Sequence, residues 1–80
     1  MPEEELFKTE EQRTRAGIAD TLEAAAAEIR EGTVDLESPT QAQRVTLPEA
    51  PTFEVELERL TDSETGAERY ELEYEIRWTR

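Results

Sequence analysis

The chain has no cysteine and no histidine. Without cysteine there is neither a disulfide framework nor a thiolate metal site to staple a small fold, and the redox compartment is left unmarked. The commonest general base and the best thiol nucleophile are missing as well. Glycine occurs only three times, at isolated positions, so no glycine-rich loop is available to cradle a phosphate. Ser38 and Ser63 fall in predicted turns with no base beside them, and no carboxylate pair stands out from the many present. The expectation is a protein that is not an enzyme and uses no cofactor. No apolar run approaches the roughly 20 residues of a membrane span. Met1-Pro-Glu-Glu-Glu is the reverse of a basic signal-peptide start. No membrane association and a cytoplasmic location are therefore expected.

Positive charge is also scarce. Nine basic residues stand against twenty-one acidic ones, giving a formal net charge of −12, and Lys8 is the only lysine. Direct binding to nucleic acid or to an anionic membrane is disfavoured, because the long-range electrostatic term has the wrong sign. Acidity this dense fits disorder, adaptation to high salt, or a surface for cationic partners. Disorder conflicts with the strict apolar alternation described below. Salt adaptation has a direct physical rationale. Carboxylates on neighbouring positions of paired strands lie about 5 Å apart. In bulk water they repel by about 0.8 kcal/mol, and in 1 M salt, where the Debye length is about 3 Å, by about 0.2 kcal/mol.

At 80 residues the chain is long enough for one small domain, burying roughly 60–65% of its unfolded surface. Glu4–Thr9 alternates briefly and reads as a short strand. Thr14 is a good N-cap and Gly32 a good C′ residue, with Arg30 placed to favour the C-terminal end of the helix dipole. Thr9-Glu-Glu-Gln12 is a competing capping-box start. Between the caps Ile18, Leu22, Ala25, Ala26 and Ile29 recur at helical spacing and form one apolar stripe. Gly17 is out of place in the first turns, at a cost of about 1 kcal/mol against alanine. Beyond Gly32 the period shortens. Thr33–Glu37 and Arg44–Leu47 read as strands around a turn at Ser38–Ala42, and Pro48 and Pro51 break the chain.

Two later segments, Phe53–Glu58 and Tyr70–Trp78, alternate apolar and charged residues almost without interruption. Side chains of a strand point alternately to its two faces. Phe53, Val55, Leu57, Tyr70, Leu72, Tyr74, Ile76 and Trp78 are thereby assigned to a buried face, with Trp78 closing one end of the core. Leu60–Ala67 joins the two strands as a hairpin loop. The predicted fold is α+β, in the order β-α-β-β-β-β: a single helix packed on one face of a four- to five-stranded, mainly antiparallel sheet.

The opposite face receives Glu54, Glu56, Glu58, Glu71, Glu73 and Glu75, the candidate site of this chain, together with Arg77. Any register that keeps both apolar sets on one side sets some of these glutamates directly across from each other, and like charges there destabilise a ladder. One such register pairs Glu56 with Glu71 and Glu54 with Glu73. Another brings Arg77 opposite Glu54 but sets Glu56 against Glu75. The favoured reading of this face is a solvated surface that guards an open sheet against edge pairing. The second is a binding surface for a cationic partner. Metal binding is not expected, because hard cations need ligands that converge on a point, whereas strand neighbours point in parallel.

Several segments together resemble the amphi-Trp domain family, small proteins abundant in salt-loving archaea and also found in bacteria. They are Leu6-Phe7-Lys8-Thr9-Glu10, Thr14-Arg15 opening an Ala/Leu-rich helix, Glu31-Gly-Thr-Val-Asp-Leu36, Val45-Thr-Leu-Pro48 and Glu71-Leu-Glu-Tyr-Glu-Ile-Arg-Trp78. The resemblance spans nearly the whole chain and implies a single domain over residues 1–80. It brings no catalytic residues with it. Where the family more often has Ser-Arg followed by glutamate, this chain has Thr14-Arg15-Ala16-Gly17, which implies a weaker cap. The functional expectation is a non-enzymatic acidic interaction module of a salt-adapted cytoplasm, binding an unidentified protein or a second copy of itself. A nucleic-acid mimic that engages basic proteins is the alternative.

Overall fold

A computed structural model describes residues 2–80 of the chain. Its elements are α1 (Arg15–Glu31), β1 (Thr33–Glu37), β2 (Ala42–Thr46), β3 (Thr52–Thr61) and β4 (Glu68–Arg77). They fall into two compact units, one ending at Glu49 and the other spanning Ala50–Arg80. The boundary lies between Pro48 and Pro51, two residues with no N–H to give a ladder.

In the first unit the helix begins at Thr14, not at the competing start at Thr9. Thr14 is extended (φ −71°, ψ 161°), and its Oγ1 accepts the Gly17 N–H at 3.1 Å. A Cβ on Gly17 would come within 3.3 Å of that oxygen, which gives the out-of-place glycine a local reason. The helix stops at Gly32, whose φ of +92° suits a residue without Cβ, and whose N–H donates to the Glu28 and Ile29 carbonyls. β1 and β2 then pair antiparallel, with Val34 opposite Val45 and Asp35 opposite Arg44. The turn between them is held by Ser38, whose N–H donates to the Gln41 carbonyl and whose Oγ accepts the Gln41 N–H. α1 packs against β1, and the Glu28 carboxylate accepts the Asp35 N–H at 3.0 Å. Phe7, Ala25, Val34, Leu36, Val45 and Leu47 are half-buried.

The second unit is a hairpin. Asp62 opens its loop: Oδ1 accepts the N–H groups of Glu64 and Thr65, and its carbonyl accepts that of Gly66. Gly66 has φ of +75°, as this tight loop requires. With Asp62 N–H donating to the Ala67 carbonyl, the loop sets the register along ten residues of each strand.

Two expectations are corrected. Glu4–Thr9 forms no strand; no strand pairs with it, and the Lys8 N–H reaches only a side chain, Gln41 Oε1, at 3.5 Å. The strands form two two-stranded antiparallel sheets, β1–β2 and β3–β4, where one sheet of four to five strands was expected. Within each unit the two strands are successive in the chain and pair across their own hairpin turn.

Candidate functional site

The register of β3 on β4 fixes the candidate site. Glu54 faces Glu75, Glu56 faces Glu73 and Glu58 faces Glu71, so all six predicted glutamates fall on one face as three direct like-charge pairs. This lies midway between the two registers considered from sequence. Arginines relieve only the ends of the ladder. Arg77 is opposite Thr52 but reaches diagonally to Glu54 at 2.8 Å and along its own strand to Glu75 at 3.3 Å. Arg69 approaches Glu71 at 3.5 Å. Glu56, Glu58 and Glu73 have no ion pair among the described residues.

The electrostatics follow the geometry. Hydrogen bonding to Arg77, and its charge, holds the Glu54 carboxyl below the usual carboxylate range. Glu56, at the unrelieved centre, is pushed up to about 7. The largest cause is a shared hydrogen bond with Glu58; the charge of Glu58, partial burial, and the charges of Glu54 and Glu73 add to it. Near neutral pH the centre of the ladder thus holds a proton part of the time. The carboxylates do not converge: among the described residues no group of three or more could hold a metal ion.

The other face of the hairpin carries Phe53, Val55, Leu57, Tyr70, Leu72, Tyr74 and Ile76, on the side the alternation assigned to them. Phe53 and Tyr74 stack with ring centroids 6.1 Å apart. These side chains are not buried as expected. Leu57 is 68% exposed and Phe53 and Tyr70 are each 61% exposed, whereas Glu54, Glu56 and Glu71 are half-buried. A two-stranded hairpin has no second layer of its own to cover an apolar face. Trp78 lies just past β4 and is 37% exposed, so it does not close a core.

Two residues of this hairpin escaped the sequence reading. Leu60 belongs to β3, not to the loop, and sits on the glutamate face opposite Arg69. Arg59 carries a charge onto the apolar face opposite Tyr70. Extending the alternation two residues past Glu58 would have found both.

Among the described residues no helix is long and apolar enough to cross a membrane. The fold and charge pattern define a small acidic α+β domain with antiparallel strand pairs. The family model of the Amphi-Trp domain matches residues 1–80, the whole chain, and the chain belongs to that family. No curated protein and no solved structure matches it significantly.

Proposed function

We propose that this chain is a non-enzymatic interaction module of a salt-adapted cytoplasm, docking through the apolar face of β3–β4 while the glutamate face stays hydrated. One observation carries the reading: Phe53, Val55, Leu57, Tyr70, Leu72 and Tyr74 are all exposed on one face of the hairpin, while Glu54, Glu56 and Glu71 on the other are half-buried. Contiguous exposed apolar surface on a small protein marks an interaction site, and apolar contacts persist in strong salt where charge contacts are screened. The lack of histidine and cysteine supports a role without catalysis.

A second reading, a mimic of a phosphate backbone that engages basic proteins, draws on the three opposed glutamate pairs. Affinity enrichment from a native high-salt lysate separates the two. The baits are the intact chain, Leu57→Arg, and a variant with Glu54, Glu56, Glu71 and Glu73 each changed to Gln. The docking reading expects proteins retained in strong salt by the intact and Gln baits and lost with Leu57→Arg. Loss with the Gln bait, and collapse of binding as salt rises, favours the mimic. Identical profiles from three folded baits contradict both.

A further inference from the structure

We propose that the occupant of the apolar hairpin face is a second copy of this chain, packed about a twofold axis parallel to the strands, with Arg59 of each copy over Tyr70 and Glu68 of the other. The inference rests on the docking reading above and names its partner.

The face is its own complement. A rotation about an axis along the strands lays β3 of one copy over β4 of the other. In the observed register Phe53 is level with Ile76, Val55 with Tyr74, Leu57 with Leu72 and Arg59 with Tyr70. The same rotation sets each of these against its counterpart across the interface, so apolar meets apolar along most of the length. The charges match as well. Arg59 is the one cation on this face and has no ion pair among the described residues. Glu68, two positions before Tyr70 on the same face, accepts a hydrogen bond from the Tyr70 hydroxyl. The rotation brings Arg59 over the Tyr70 ring and the Glu68 carboxylate of the other copy, twice per dimer, an arrangement suited to cation–π and ionic contact together.

Size and charge are consistent with this pairing. The exposed fractions of the face residues correspond to on the order of 700 Å² per copy, taking usual side-chain areas. Doubled, that falls within the range of about 1,200–2,000 Å² for specific complexes. Two chains of charge −12 repel overall, but stacked sheets lie about 10 Å apart and place the two glutamate ladders on the outer surfaces. The ladders are then separated by more than the Debye length of about 8 Å at physiological ionic strength.

Sedimentation equilibrium tests the proposal on the full chain, with circular dichroism confirming that each variant is folded. In about 2 M KCl, where the Debye length is only a few Å, the intact chain should dimerise with concentration. Leu57→Arg should raise the dissociation constant about tenfold or more. The decisive arm is a charge swap in about 0.5 M KCl, where close pairs are still felt. Arg59→Glu and Glu68→Arg should each dimerise more weakly than the intact chain. Their equimolar mixture should form a tighter heterodimer, because opposite charges then meet across the interface in both places. This arm reads the contact even if Leu57→Arg fails to fold. A monomeric intact chain, or a mixture no tighter than either variant alone, would overturn the proposal. A monomer that still retains, through Leu57, another protein in strong salt would overturn the dimer alone and leave the docking reading standing.

Discussion

The two strand pairs of this protein share an antiparallel ladder and differ in what they set across it. In β1–β2 the charged pair is complementary: Asp35 faces Arg44, and the Arg44 Nε donates to Asp35 Oδ1 at 2.8 Å. That contact holds the Asp35 carboxyl below its usual range and the Arg44 guanidinium above its own. In β3–β4 three glutamate pairs face each other, and the Glu56 carboxyl among them is pushed up to about 7, first by its hydrogen bond with Glu58 and the charge of Glu58, with Glu54 and Glu73 adding to it. β1 also has a helix against it, whereas the apolar face of β3–β4 is exposed. Acidic residues occur throughout the chain, but only β3–β4 sets carboxylates directly across a ladder from one another. The unit with a helix packed on a strand carries a cross-strand ion pair, and the hairpin unit concentrates the repulsion on the side opposite its apolar residues. Two copies of such a sheet would repel through their anionic faces, so self-association is open to the apolar face alone.

The largest expected effect of this contrast is on salt response. Relief of three direct pairs should raise the thermal midpoint of the β3–β4 hairpin by on the order of 10 °C between dilute buffer and 3 M KCl, while β1–β2 changes little. Thermal scans with tryptophan fluorescence, which reports the Trp78 end of the hairpin, would check this.

Next come the helix caps, which supply a salt-insensitive reference in the first unit. Thr14→Ala removes the acceptor for the Gly17 N–H, and Gly32→Ala forces a Cβ into a backbone with φ of +92°. Each should cost about 1 kcal/mol, by the same amount in dilute buffer and in 3 M KCl, as read by helix-region circular dichroism.

The contrast can also be moved from one ladder to the other. Arg44→Glu sets a carboxylate against Asp35 and should give β1–β2 the salt dependence it lacks. A drop in midpoint of about 3 °C in dilute buffer, largely recovered in 3 M KCl, is the expected result.

The smallest effect is a pH slope. Because the folded carboxyl of Glu56 has its pKa raised to about 7, above the unfolded value near 4.3, the folded state binds more protons between these limits. Stability should therefore fall as pH rises from about 4.5 to about 7. Glu54, Asp35 and Asp62 have lowered pKa values, the last through the Glu64 and Thr65 N–H groups. Their contribution is lost only as pH falls below the ordinary carboxylate range, outside that window. Glu56→Gln should flatten the slope in urea titrations of the hairpin made across the pH range.

Much of this organisation is legible in the sequence, because its signals are local. Thr14 and Gly32 act through bonds within their own turns, so residue type marks the helix end and leaves two starts, Thr9 and Thr14, of which the Thr14 Oγ1 bond to the Gly17 N–H selects the second. Strict alternation assigns every glutamate of the candidate site to one face of the hairpin. What is not legible depends on partners distant in sequence or absent. Glu4–Thr9 has the alternation of a strand but no neighbour to pair with. The register turns on the Asp62 side chain capping a loop shorter than Leu60–Ala67, and a shift of two residues would leave both faces unchanged. Alternation likewise says which side Phe53 and Leu57 take, but not whether a second layer covers them.

Residue-resolved hydrogen exchange, at protein concentrations low enough to exclude association, tests the contrast most directly. Amides of Val55, Leu57, Leu72 and Tyr74 should gain protection as KCl rises from dilute to 3 M, while those of Val34 and Val45 stay nearly constant. Equal gains in both ladders, or a gain confined to β1–β2, would contradict the account.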